Sequence, residues 1–270
     1  MTLAQGRVGK LYAFSLLNFM KRNLTTRSLT LLVAVLFTFP TQVFCQGSIS
    51  GTVTFTGTPP KETVYKHSIS PEACGRQASL DRLIIGKNKG VQYTLLYLKN
   101  PPAGSTTGMK QAIIDQKNCH YTPHMSIAAK GSSLEMVNSD AILHTSHGYL
   151  YSGMERSTIF NIAQPIEGQR TQQPLRKSGM VEIECDAGHV WMTSWVWVTP
   201  SPFAVITSEN GEFTMDNIPS GTYTLIMWHE GWKMKDTDEG ERPKFSDPIA
   251  QEREVTVTDG KITTVNFELR

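Results

Sequence analysis

From residue 46 onward, apolar and polar positions alternate in short runs and never settle into a helical period. Residues 49–55 read Ile-Ser-Gly-Thr-Val-Thr-Phe. Side chains two apart share a face, so this is the pattern of a half-buried strand. Further β-rich runs lie at 91–98, 134–137, 181–185, 192–198, 222–228 and 254–258. Ala204-Val-Ile-Thr leads into Asn210-Gly211 and then Glu212-Phe-Thr-Met. Both turn residues tolerate positive φ, so a hairpin is expected there. Asp259-Gly260 turns the chain into a last alternating strand over 262–269. The expected fold class is all-β, in two sandwich or barrel units. Pro200-Ser-Pro202 is the natural boundary between them. The polar stretches 152–177 and 233–248 read as surface loops.

The segment before residue 46 has a different composition. An apolar run over 29–39 follows Lys21, Arg22 and Arg27, with Pro40 after it and Val43-Phe44-Cys45 before Gln46. A basic start, a short apolar middle and a cleavage site are the marks of a secretory signal. Residues 1–45 are therefore expected to be a signal peptide, with Met20 as a candidate true start. A retained anchor or lipoprotein is the alternative. The run is short for a bilayer span. The expected location is periplasmic or secreted, with no membrane span after cleavage. Residues 1–45 hold five of the 26 Lys and Arg and none of the 24 Asp and Glu. The remainder is thus acidic by three charges and has no electrostatic footprint for nucleic acid.

Three cysteines lie beyond the signal: Cys74, Cys119 and Cys185. Exported thiols tend to pair, and three is odd. The economical reading pairs Cys74 with Cys119 and leaves Cys185 free. Cys185 opens the run Cys185-Asp-Ala-Gly-His189-Val-Trp-Met192, and His144 lies 41 positions upstream. Two imidazoles, a thiolate and a weak axial thioether form the ligand set of one-electron copper sites. His144, Cys185, His189 and Met192 are the candidate metal ligands, for one copper ion. Each also has a plainer role open to it. Cys185 could be a core thiol or a disulfide partner, Met192 a core filler, and His147 a rival to His144.

These residues carry a resemblance. The chain is similar to the cupredoxin superfamily, in particular to exported plastocyanin-like, methylamine-utilisation-like proteins. The likeness rests on Gly47 through Pro60, Asn118-Cys-His-Tyr-Thr-Pro-His124, Gly131 through Asp140, His144 and the Cys185–Met192 loop. It implies a Greek-key sandwich over 46–200, with those four residues as copper ligands. Two departures stand out: Thr145 follows the first histidine, and the loop spacing is C-x3-H-x2-M. A binuclear copper loop would need another cysteine where Val181 stands. After Pro202, Thr207 through Phe213 and Ile218 through Leu225 resemble carboxypeptidase regulatory-like domains. That resemblance implies a small transthyretin-like sandwich over 201–270. The strand at 49–55 also fits the opening strand of such a domain, which would make the copper domain an insertion.

The expected function is one-electron transfer with a redox partner protein. A copper-binding or chaperone role without redox work is one alternative. A structural or carbohydrate-binding module using Trp228 or Trp232 is another. His120 and His124 read as surface or satisfied histidines, although His124 is a possible further metal contact. Trp191 reads as packing or as a shield of the metal. His229-Glu230 reads as structural. No phosphate loop, nucleophile elbow or His-Glu-x-x-His motif is present, so enzymatic activity has the least support.

Overall fold

The computed structural model describes residues 46–270 apart from 81, 154 and 239–240. The expected signal segment and its cleavage site lie outside the described residues. Those residues are all-β, with a single helical turn at Pro71–Cys74 and a 3-10 turn at Lys87–Lys89. No helix among them is long and apolar enough to cross a membrane.

Two pairs of sheets enclose two cores. In the first pair, one sheet runs Glu155–Gln164, His144–Ser152, Gly179–Glu184, Thr193–Thr199, Met125–Ala129. The last two of these strands are parallel and the other neighbours antiparallel. The facing sheet runs Arg170–Pro174, Ser133–Asn138, Ile113–Lys117, His120–Thr122. Ile114, Leu134 and Met136 from one sheet meet Val181, Ile183, Val196 and Val198 from the other, and Cys185, Trp191 and Met192 lie in the same apolar cluster.

The second pair crosses the expected boundary at 200. Gln46–Phe55 is hydrogen-bonded antiparallel to Glu212–Pro219 and parallel to Ile262–Thr264 and Phe267–Leu269. Leu95–Leu98 lies between Ala204–Ile206 and Gly221–His229, and Ile249–Val257 completes that sheet. Ile49, Val53 and Phe55 therefore share a core with Phe213, Leu225, Val255 and Phe267. The sheets do not divide into 46–200 and 201–270. The sandwich built from strands between 113 and 199 is instead bracketed by strands of the other, and the described residues form one compact unit.

The alternation along single strands shows why the two sandwiches stay together. On Thr193–Thr199, Val196 and Val198 enter the first core, while Trp195 and Trp197 point to the opposite face. On Leu95–Leu98, Leu96 and Leu98 enter the second core, while Leu95 and Tyr97 point back. Tyr97 lies 4.4 Å from Trp197 between ring centroids, and Trp228 meets Trp195 edge-on at 5.3 Å. Both sheets are thus covered on both faces, which explains their near-continuous apolar runs. Trp228 packs in this seam, and Trp232, 7 % exposed, packs edge-on against Phe55.

Three local expectations are corrected. The stretch 152–177 holds all of the strands Glu155–Gln164 and Arg170–Pro174. Both are sheet edges and mostly exposed, which is why their composition is polar. Within 233–248, Met234–Thr237 pairs with Pro243–Phe245. The Asn210-Gly211 turn closes, with Gly211 N–H donating to the Ser208 carbonyl at 2.9 Å, but it makes no hairpin. Ala204–Ile206 pairs with Leu95–Leu98, and Glu212–Pro219 pairs with the first strand. The turn carries the chain from one sheet to the facing one. Gly211 has φ +75 and packs against the backbone of Val53 and Gly90, where a Cβ would collide.

Candidate metal centre

The loop after Gly179–Glu184 builds the site. Cys185 sits at the strand's end, fully buried. Gly188, at φ +88, lets the chain double back in a conformation that other residues resist. His189 follows, 1 % exposed, and the Met192 N–H donates to the His189 carbonyl at 2.9 Å to close the turn. His144 begins the strand His144–Ser152 and is fully buried.

Three of the four expected residues converge. The Cys185 sulfur lies 3.8 Å from His144 Nδ1 and 3.6 Å from His189 Nδ1. Ligand atoms of all three lie within 4.8 Å of one another. A metal held by bonds of about 2.3 Å to sulfur and about 2.0 Å to nitrogen, at tetrahedral to trigonal angles, sets a sulfur–nitrogen edge of about 3.5–3.7 Å. The observed edges match that spacing. Met192 is 1 % exposed and belongs to the same apolar cluster as Cys185.

The surroundings orient these donors. Asp140 Oδ2 lies 3.0 Å from His144 Nε2. A carboxylate there keeps the proton on Nε2 and turns the Nδ1 lone pair toward the sulfur, as metal-binding histidines require. Asp140 is itself fixed by the backbone N–H groups of Asn118 and Cys119, both at 2.8 Å, and Asn138 Oδ1 accepts its N–H at 3.0 Å. Thr145 N–H donates to the Cys185 sulfur at 3.4 Å. Thr145 Oγ1 accepts the Asp186 N–H at 2.6 Å, tying the loop to the strand.

Burial lowers the pKa of both imidazoles. His189 falls to about 4, through desolvation first and then the neighbouring His144 and His67. His144 is also lowered by desolvation, against the pull of Asp140. Both are therefore neutral near pH 7, the state in which an imidazole can donate a lone pair. His189 Nε2 is buried with no partner.

His147 is placed elsewhere. Three residues along a strand reverses the face, and its ring bonds Asp186 Oδ2 at 2.5 Å and Thr158 Oγ1 at 2.8 Å. His124 bonds Glu230 instead. Glu230 also accepts from Arg82 at 2.7 Å and from Trp195 Nε1 at 2.8 Å, so His229-Glu230 serves a buried ionic network. Trp191 lies edge-on to His189 at 5.4 Å, is stacked by His67 at 3.8 Å, and donates from Nε1 to the Cys119 carbonyl at 2.9 Å. Among the described residues, Cys185 is the free cysteine, and Cys74 is bonded to Cys119. In the chain-entropy description, closing a loop of 45 residues stabilises the fold by about 4 kcal/mol.

Two contributors gave no sequence signal. Arg242, far along the chain, donates to the carbonyls of Val190 at 3.0 Å and Cys185 at 2.8 Å. It also pairs with Glu184 at 3.4 Å and Asp186 at 3.3 Å. His67 reaches the site from the exposed segment that precedes the Pro71–Cys74 turn. Asp140 stands four residues ahead of His144, at the end of the stretch Gly131 through Asp140 on which the resemblance rests.

No family model matches the chain, and no curated protein matches it. Among solved structures it is similar to a purple cupredoxin from Nitrosopumilus maritimus, at 18% identity and TM-score 0.29, over 33% of this chain and 100% of that one. It is similar to a copper-containing nitrite reductase from Thermus scotoductus SA-01, at 17% identity and TM-score 0.28, over 37% of this chain and 25% of that one. A variant of amicyanin in its reduced Cu(I) form matches at 13% identity and TM-score 0.28, over 38% and 98%. Each likeness covers little more than a third of the chain.

Proposed function

We propose that this chain binds one copper ion through His144, Cys185 and His189, with Met192 as a weak fourth ligand, and carries single electrons to and from a redox partner protein. The observation that carries the reading is the buried convergence of one thiol and two Nδ1 atoms at 3.6 and 3.8 Å. Copper held there would supply a one-electron couple. Soft thiolate with imidazole suits that metal better than a carboxylate-bound hard ion.

The protein's own part is to hold the donors still. Cys185 is anchored at a strand end, His144 by Asp140, and His189 by the Gly188 turn and Trp191. A rigid donor set changes little between oxidation states, which favours fast electron exchange. The surrounding apolar cluster keeps water out and holds the potential up. Export to the periplasm or beyond accords with the disulfide.

The test is spectroscopic. Copper-loaded protein should show an intense visible sulfur-to-copper charge-transfer band and a reversible one-electron couple. Cys185→Ser should lose the band. Loaded protein lacking both signatures would sink the proposal.

A further inference from the structure

Next to the Cys185 site lies a second set of soft donors that the proposed copper ion does not use. The sulfurs of Cys74 and Cys119 and an imidazole nitrogen of His189 lie within 4.8 Å of one another. Cys119 is 1 % exposed and His189 1 %. While the disulfide stands, neither sulfur is a useful ligand, because the thiolate is the metal-binding form. His189 Nδ1 faces Cys185, yet its Nε2 is buried with no partner. A buried polar nitrogen without a partner is rare in folded proteins. Here it belongs to a residue flanked by three sulfurs.

We propose that Cys74, Cys119 and His189 form a second soft-cation site, closed by the disulfide and opened by its reduction, with Cu(I) as the ion. A small dithiol supplies the electrons. Its thiolate attacks the Cys74 sulfur, the S–S bond breaks, and Cys119 leaves as a thiolate. The second thiol of the reagent then displaces Cys74, and the reagent ends as a cyclic disulfide. Two electrons have passed to the protein, giving two thiols that lose their protons when the metal binds. Cys74 is the accessible end, being partly exposed in the Pro71–Cys74 turn, whereas Cys119 is sealed.

Two thiolates and one imidazole are a soft, three-donor set, which suits Cu(I). Zinc takes four ligands in structural sites, and no fourth His, Cys, Asp or Glu joins this group among the described residues. The frame does not depend on the disulfide alone. The Asn118-Cys119 turn is held by Asp140 and by Trp191, and Cys119 packs in the large apolar cluster. A neutral imidazole has one lone pair, so His189 serves one ion at a time. Reduction therefore offers bound copper an alternative seat beside the first.

The site deepens the copper reading but can be tested without it, in the Cys185→Ser variant. The variant is treated with dithiothreitol, freed of it without air, and titrated with Cu(I) against a coloured Cu(I) chelator. The reduced variant should take up one Cu(I) per chain and outcompete the chelator, whereas the oxidised variant, left with His144, His189 and Met192, should not. Adding His189→Ala should weaken the reduced site by at least about ten-fold. Near-UV circular dichroism before the titration should match the oxidised variant. Equal uptake by both redox forms, indifference to His189→Ala, or loss of the near-UV signal on reduction would each overturn the proposal. Cys185 is absent from this variant, so the outcome stands apart from that of the charge-transfer band.

Discussion

The Nη2 of Arg242 donates to the carbonyl oxygen of Cys185 at 2.8 Å, although 57 residues of chain separate them. The same guanidinium holds the Val190 carbonyl, so both ends of the loop around His189 hang on one side chain. It also faces Glu184, which is 6 % exposed in its side chain. Hydrogen bonds to charged groups are worth more than neutral ones. Arg242→Gln should cost about 2 kcal/mol, lowering Tm by about 4–8 °C, and should speed copper loss to a chelator. Arg242→Lys should not restore either property, since a single ammonium cannot span two carbonyls and two carboxylates. Calorimetry and a chelator chase measure the two effects.

Asp140 sets the tautomer of His144. Asp140→Ala should reduce copper affinity by about 10–100-fold, the usual effect of removing such a partner. His144 itself stays in place, so the charge-transfer band should persist at saturating copper.

His147 and His144 begin one strand but face opposite ways. His147→Ala should leave both the band and the copper affinity unchanged, whereas His144→Ala should abolish the band. Side-by-side copper titrations of the two variants decide between them. The reverse result would move the first ligand three residues along the chain.

Glu230 ties stability to pH. Burial alone would raise its pKa, but His124 and Arg82 hold it down at about 2, below its ordinary 4.5. The folded state then binds the Glu230 proton more weakly than the unfolded state does. The ionised network contributes its full stability above the unfolded pKa and loses it as pH falls from about 4.5 toward about 2. The contribution at stake is on the order of 3 kcal/mol. Urea unfolding at about pH 6 and about pH 3 should show this loss. Glu230→Gln, less stable at pH 6, should show a shallower pH dependence. Parallel slopes for the two proteins would contradict it.

Much of the site could be read from the sequence because its chemistry uses scarce residues at short spacing. Cys185 and His189 share one loop, and an odd cysteine count separated Cys185 from the Cys74–Cys119 bond. Strand alternation likewise revealed an all-β chain. Partner choice between strands was less visible, because alternation says which face is buried and not against what. Residues 49–55 look the same whether they pair within the first 200 residues or with Glu212–Pro219. Glu155–Gln164 escaped notice because an edge strand keeps its polar residues. Arg242 carried no signal, since its carbonyl partners have no side-chain identity to match.

Residues 262–269 finish a sheet that residues 46–55 begin. As a nascent polypeptide lengthens past residue 46, its opening strand must wait for its parallel neighbours until more than two hundred further residues have been added. The inserted sandwich has all its strands by residue 199 and needs no such delay. Assembly thus has a built-in order, in which the half that carries the candidate site can take shape while the sheet around it is still incomplete.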